Sequence, residues 1–259
     1  MIYQHTNSID NFNYNAVIYA DAELPMHFHR NYELIYVLRG VNHVKLNAFN
    51  IDLAQGQFLL ISPNEPHSFE LHGNSEAWVG VFSEDHIPAF ANNYTGTAFS
   101  SFKCDTDIQK FFEKVFLSDA NTDLYCRISC LYAICSQCIG NAEPLKKSVD
   151  PDIADLISTY IYKNYTENLT LKNVADSLGY EYHYFSKIFN KCFSMKFCEF
   201  LNICRFNKAC ELLSKRCDLT ITQAALESGF GSIRSFNRVF KAIYGQTPHQ
   251  YRKGLSELR

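Results

Sequence analysis

The sequence predicts an α+β protein of two domains, a strand-built N-terminal half and an all-α C-terminal half. Three observations carry that prediction. From about residue 15 to 100, polar and apolar side chains alternate between frequent Gly, Pro and Asn, as short strands and turns require. After Pro151 the apolar spacing is helical throughout. Finally, the last hundred residues contain one segment twice: Leu169-Thr170-Leu171 … Ala175 … Leu178-Gly179-Tyr180 … Phe185-Ser186-Lys187-Ile188-Phe189, then Leu219-Thr220-Ile221 … Ala225 … Ser228-Gly229-Phe230 … Phe236-Asn237-Arg238-Val239-Phe240. Each copy reads as a short amphipathic helix, a Gly-marked turn and a second helix, the pattern of a helix-turn-helix.

In chain order, the predicted strands are Tyr32–Leu38, Val41–Leu46, Phe58–Ser62, His67–Leu71 and Ala77–Phe82. The period then becomes helical. Phe111, Phe112, Val115 and Phe116 fit one helix, and Leu124, Ile128, Leu131, Tyr132 and Cys135 fit another. The Gly140-to-Lys147 stretch is polar with Gly and Pro, as expected of a linker. The expected organisation is therefore a sensing domain over 1–140 with a helical segment at about 105–139, a linker over 141–151, and a DNA-binding domain over 152–259.

The net charge of −3 conceals two opposite halves. Residues 1–150 carry 9 Lys+Arg against 17 Asp+Glu, whereas residues 151–259 carry 15 against 10. The basic half is the one with the repeat, as contact with a polyanion requires. No apolar run approaches the roughly 18–20 residues that cross a bilayer. The start of the chain has no basic region followed by an apolar stretch, so the sequence predicts a cytoplasmic protein without a secretion signal or membrane partner. Ten cysteines then read as reduced thiols. Cys192, Cys204 and Cys210 occupy apolar helical positions, and the Cys135/Cys138 pair lacks the second pair of a four-ligand zinc site.

On a helical wheel, Phe236, Val239, Phe240 and Ile243 share one face, with Arg234, Arg238 and Lys241 opposite. In the first copy Phe185, Ile188, Phe189 and Cys192 form the core face, with His183, Lys187 and Asn190 opposite. An apolar inner face with donors outside is what a helix in the major groove needs. Gly179 and Gly229 are expected in the left-handed conformation that a Cβ disfavours.

The stretch Ile221-Thr222-Gln223-Ala224-Ala225-Leu226-Glu227-Ser228-Gly229-Phe230 … Ser235-Phe236-Asn237-Arg238-Val239-Phe240-Lys241 … Tyr244-Gly245-Gln246-Thr247-Pro248 … Tyr251-Arg252 closely resembles the C-terminal signature of the AraC/XylS family of bacterial transcription regulators. Arg205 … Ala209 … Leu212-Leu213 resembles that family's connecting helix. The resemblance covers roughly residues 152–259. It implies seven helices, with a long one near Phe197–Ser214 holding two recognition helices about one DNA turn, roughly 34 Å, apart. The base-contacting positions it implies are His183, Ser186 and Lys187 in the first copy and Arg234, Asn237 and Arg238 in the second. Arg suits bidentate contact to guanine. The first copy departs from the family pattern at Glu181 and Tyr182, where small polar residues are common and where Glu181 sets an acid near DNA.

In the N-terminal half, His27-Phe28-His29-Arg30-Asn31-Tyr32-Glu33 … Gly40 has the spacing HxHx₃Ex₆G. Along an extended strand His27, His29 and Glu33 share a parity with Ile35 and Val37, which would aim them into one barrel interior. Pro63-Asn64-Glu65-Pro66-His67 supplies another His. The set resembles the cupin barrel, whose metal site uses three His and one Glu. The second motif departs from it, shortened and with Pro66 in the region of the expected Gly. The candidate ligand-binding residues are His27, His29, Glu33 and His67, with Tyr36, Arg39 and Trp78 beside them; by parity Tyr36 points away unless a bulge intervenes. The same four residues are the donors if a divalent metal is bound, and the resemblance also allows a metal-free pocket for a small organic effector, or a purely structural role.

The resemblance thus implies a non-enzymatic regulator, an activator of carbohydrate or other catabolic or transport genes. Its partners would be double-stranded DNA, a small-molecule effector such as a sugar, a second copy of the chain through the helices at 105–139, and RNA polymerase. Two alternatives stand beside it: control by a protein partner or by thiol oxidation, and a metal-dependent cupin enzyme.

Overall fold

The computed structural model describes residues 14–47, 49–94, 96–118, 122–145, 151–193, 195–216 and 218–257. They fall into two compact units, meeting in sequence near residue 147.

The N-terminal unit runs β1 (Tyr14–Ala20), β2 (Glu23–His27), β3 (Tyr32–Arg39), β4 (Val41–Leu46), β5 (Phe49–Ala54), β6 (Phe58–Ile61), β7 (His67–Leu71), β8 (Glu76–Phe82), a 3₁₀ turn (Glu84–His86), α1 (Pro88–Tyr94), β9 (Ala98–Phe99), α2 (Thr106–Phe116), α3 (Leu124–Asn141) and β10 (Pro144–Leu145). Its strands make two four-stranded antiparallel sheets, ordered β1-β8-β3-β6 and β2-β7-β4-β5. One buried cluster joins them: Ile35, Val37, Leu59 and Val79 from the first sheet meet Val44, Leu46, Phe69 and Leu71 from the second.

The first sheet is apolar on both faces, which explains the nearly unbroken hydrophobic runs of β3 and β8. Its outer face carries Tyr36, Phe58, Trp78 and Phe82, packed against helical residues such as Phe112 and Leu131. The Trp78 and Phe112 rings lie edge-to-face with centroids 5.0 Å apart. The second sheet is covered on one side, so β4 alternates exposed and buried through Val-Asn-His-Val-Lys-Leu. Gly40 turns β3 into β4 at φ +73°, where a Cβ would collide with Ser75.

Two expectations change here. His27, His29 and Glu33 do not lie on one strand: β2 and β3 belong to different sheets, and the residues between them turn the corner. Fully buried Phe28 and buried Asn31 anchor that corner. The expected linker over 141–151 also begins too early. Asn141 closes α3, and Pro144 and Leu145 pair with Phe99 and Ala98, so they pack as part of the N-terminal unit.

The C-terminal unit is helical among its described residues: α4 (Pro151–Asn164), α5 (Leu171–Ser177), α6 (Tyr182–Phe193), α7 (Phe197–Lys215), α8 (Ile221–Glu227), α9 (Ile233–Tyr244) and α10 (Pro248–Glu257). Thr170 caps α5 and Thr220 caps α8, each side chain accepting from the backbone N–H three residues on. The turns between paired helices contain Gly179 at φ +77° and Gly229 at φ +86°, both left-handed as expected. Arg205 of α7 donates from Nε to the Tyr165 carbonyl and from its terminal nitrogen to Glu167, each at 2.8 Å, satisfying carbonyls just beyond the end of α4. No helix among the described residues is long and apolar enough to cross a membrane.

Candidate functional site: a buried His/Glu cluster and two outward helices

Four buried polar side chains converge at one edge of the space between the sheets. His27 ends β2, His67 opens β7 directly opposite it in register, Glu33 is the second residue of β3, and His29 sits in the corner. The ring centroids of His27 and His67 are 4.2 Å apart and those of His29 and His67 5.2 Å apart. His29 Nε2 lies 3.0 Å from Glu33 Oε2, and His67 Nε2 lies 3.4 Å from Glu33 Oε1. One ligating atom from each of the four lies within 4.8 Å of all the others.

Each imidazole is oriented by a backbone carbonyl two residues away. His27 Nδ1 reaches the Pro25 carbonyl at 2.9 Å, His29 Nδ1 that of Asn31 at 2.9 Å, and His67 Nδ1 that of Glu65 at 2.8 Å. A carbonyl only accepts, so every Nδ1 is a donor and every Nε2 faces the cluster. Burial, reinforced by His67, pushes His27 down to about 3, so its ring is held neutral. Burial by itself would raise the Glu33 carboxyl, but His67 and His29 overcome it and hold Glu33 well below the usual carboxylate range. His67 is raised, because Glu33 outweighs the opposing effect of its burial. Three imidazole nitrogens and a carboxylate are a donor set suited to a first-row divalent cation.

The structure therefore brings together His27, His29, Glu33 and His67 and leaves out the other ligand candidates. Tyr36 and Trp78 project from the opposite face of the first sheet, as strand alternation dictates. The Tyr36 hydroxyl donates to Glu113 of α2 at 2.9 Å and accepts from Gln109 at 3.0 Å. Arg39 donates to the Asn74 carbonyl at an exposed hairpin end. Sequence reasoning missed the carbonyls of Pro25, Asn31 and Glu65, which fix the three tautomers; a backbone group carries no residue-type signal.

In the C-terminal unit, α6 and α9 each bury one face. Phe185, Ile188, Phe189 and Cys192 are buried on α6, as are Phe236, Val239 and Phe240 on α9. His183 and Lys187 are exposed with Ser186 partly so, and Arg234, Asn237 and Arg238 are exposed on α9. Glu181 has a local task. Its carboxylate accepts from the His183 and Tyr184 N–H groups, both at 2.9 Å, capping α6 as Ser232 caps α9. Those two backbone bonds lower the Glu181 carboxyl.

The AraC-like ligand binding domain profile matches residues 14–116, and a helix-turn-helix domain profile matches residues 174–254. An uncharacterized HTH-type transcriptional regulator of Staphylococcus aureus is 36% identical over 104 residues, 40% of this chain. The chain spans 14% of the length of that relative. The transposon Tn10 TetD protein of Escherichia coli is 36% identical over 96 residues, which are 36% of this chain and 67% of TetD. ToxT from Vibrio cholerae shares the fold, with a TM-score of 0.62 at 16% identity over 94% of this chain and 98% of ToxT. The resemblance carried by Gly229, Phe236 and Phe240 thus extends to both units, and the chain belongs to the AraC family of transcription regulators, with a ligand-binding N-terminal domain and a helix-turn-helix DNA-binding region.

Proposed function

We propose that α6 and α9 are the DNA-reading helices of a promoter-specific regulator, entering successive major grooves on one face of the duplex. The observation that carries this reading is the matched pair of outward faces. His183, Ser186 and Lys187 occupy on α6 the positions that Arg234, Asn237 and Arg238 occupy on α9, and both helices follow a capped first helix and a left-handed Gly turn. Arg234 and Arg238 would read guanine edges, while Lys187 supplies phosphate or base contact.

In the same reading the His/Glu end of the N-terminal unit holds the effector, a second copy of the chain docks on the helices near 105–139, and the assembly acts in the cytoplasm by recruiting RNA polymerase to catabolic or transport genes. An effector changes the output only by binding two arrangements of the protein unequally. Burial pushes Cys130 and Cys138 up to about 12 and suppresses their reactive thiolates, which argues against a thiol switch at these two positions, whereas Cys198 is exposed.

The test is selection of bound sequences from a random duplex pool with the full chain. Enrichment of two half-sites roughly 10–10.5 base pairs apart, centre to centre, is expected. A pool that stays random after several rounds would overturn the reading.

A further inference from the structure

We propose that a cleft on the outer face of the first sheet, between β8 and the helices α2 and α3, is a second ligand site, which takes an aromatic carboxylate in place of the Tyr14 ring. The inference goes beyond the effector-site assignment above. The cleft opens on the face of the sheet turned away from the His/Glu cluster and shares no residue with it.

Two features of the cleft point to a ligand that is both apolar and negatively charged. The first is its lining. Trp78, Gly80 and Phe82 of β8 alternate onto its floor, and Phe116 of α2 forms a wall. Gly80 leaves room for the Trp78 indole to lie across the strand, where a Cβ would collide with it. His86, at the edge, turns its Nδ1 to the Ser83 carbonyl at 3.2 Å. The second feature is Arg127 of α3, which lines the same cleft. An arginine stays charged and offers five N–H donors and no acceptor. One terminal nitrogen donates to the Thr122 carbonyl at 2.8 Å. Its Nε is buried without a hydrogen-bond partner, and among the described residues no carboxylate lies within ion-pair distance of it. A buried charged donor left unpaired is costly, and a carboxylate relieves that cost with the strongest kind of acceptor.

Tyr14 marks where the ligand lies. Its ring stands over the guanidinium, with Arg127 Cζ 4.9 Å from the ring centroid, and it meets Phe116 edge-to-face at 5.7 Å. A cation on one side and an aromatic edge on the other suit an aryl ligand, but Tyr14 brings no negative charge to the guanidinium. Tyr14 is 38% exposed at the start of β1, an edge strand that pairs only with β8, so its side chain can turn out to solvent. With Tyr14 in place the cleft measures about 230 Å³ counting its open mouth, but its enclosed part is only about 10 Å³, room for about one water. The ligand therefore replaces the ring rather than adding to it, and a single aromatic ring matches in size what it displaces.

Trp78 is the chain's one tryptophan, so tryptophan emission reports on this cleft. The experiment titrates the full chain with phenylacetate while that emission is followed, and equilibrium dialysis measures the bound ligand. Acetate, which lacks the ring, and phenylacetamide, which lacks the charge, are the controls. Saturable phenylacetate binding with a change in Trp78 emission is expected, with both controls at least about tenfold weaker. Arg127→Gln should weaken phenylacetate binding by about tenfold or more, since a charge-assisted hydrogen bond is lost. Tyr14→Ala should instead tighten it by about 2–5-fold, because no ring then competes for the guanidinium. A residue that only supported the fold would not improve binding when removed. His72→Asn, at an exposed site, should change nothing and serves as the folded control.

Equal affinity for phenylacetate and phenylacetamide would overturn the proposal. So would unchanged affinity in a folded Arg127→Gln variant, or weaker binding in a folded Tyr14→Ala variant. Saturable binding by dialysis without any change in Trp78 emission would place the ligand elsewhere and sink the assignment. Lack of saturable binding up to about 10 mM, an affinity of little more than about 2.7 kcal/mol, would do the same. These wild-type results decide the matter even if both variants fail to fold.

Discussion

At the scale of single residues, the chain separates groups that hold the fold from groups left free to act. On α9, Phe236 is fully buried while Arg238, two positions on, is exposed. Removing an exposed Arg leaves no cavity, so Arg238→Ala should leave the thermal midpoint within about a degree or two of wild type. It should nevertheless weaken specific binding by about 1–3 kcal/mol and relax preference at one base pair. Anisotropy titrations against the selected duplex and its single-base variants check both effects. Unchanged affinity would mean that α9 enters the groove in another register. Glu181 teaches the converse lesson. An acid near DNA suggests repulsion, but its oxygens are occupied by the first N–H groups of α6. Its departure from the family pattern is therefore an alternative cap.

At the scale of elements, the two helix-turn-helix copies are alike in pattern but not in surroundings. Both turns need a left-handed residue, supplied by Gly179 and Gly229. A Cβ on Gly179 meets nothing within 4 Å, whereas one on Gly229 would come within 2.7 Å of the Thr166 Cα and 2.8 Å of the Tyr165 oxygen. The second turn therefore packs against the chain leaving α4, at the carbonyl that Arg205 also holds. Gly179→Ala should cost about 1–2 kcal/mol for the conformation alone. Gly229→Ala should exceed that by at least about 1 kcal/mol, because backbone cannot step aside as a side chain can. Denaturant unfolding of the two variants measures the difference; equal losses would show that the crowding relaxes freely. The N-terminal sheets display a related asymmetry: β3 reads as a solid apolar run because helices cover its outer face, while β4 alternates because water does.

At the scale of the whole molecule, the charge is divided as the division of labour requires. The N-terminal part is net acidic, and the excess of Lys and Arg over Asp and Glu lies after residue 150. DNA binding should therefore be strongly salt-dependent. If about four to six phosphates are neutralised, affinity should fall by roughly 10²–10³-fold between 50 and 200 mM salt. A flat salt dependence, measured by anisotropy over that range, would show that this basic excess does not face DNA.

Much of this protein was legible in the sequence because local patterns recorded it. The repeat, its apolar faces and its two turn glycines carried the helix-turn-helix pair, since a helix with one buried face must show that face every three or four residues. The strands β3, β4, β6, β7 and β8 were legible as short apolar stretches between turn residues, although only β4 and β7 alternate at period two. Strands β1, β2 and β5 carry a weaker apolar signal, because more than half of each is partly or wholly exposed to solvent. The residue types of the His/Glu cluster could also be read directly. Their convergence could not, because it depends on β2 and β3 lying in different sheets and on His67 arriving from forty residues further along, and these are facts of strand pairing rather than of spacing. The tautomers depend on carbonyls that every residue possesses, so only the folded backbone could decide which nitrogens face inward. Sequence determined which chemistry this chain carries, because side-chain type and period are local. Tertiary structure decided which of those groups meet, because pairing and packing are not.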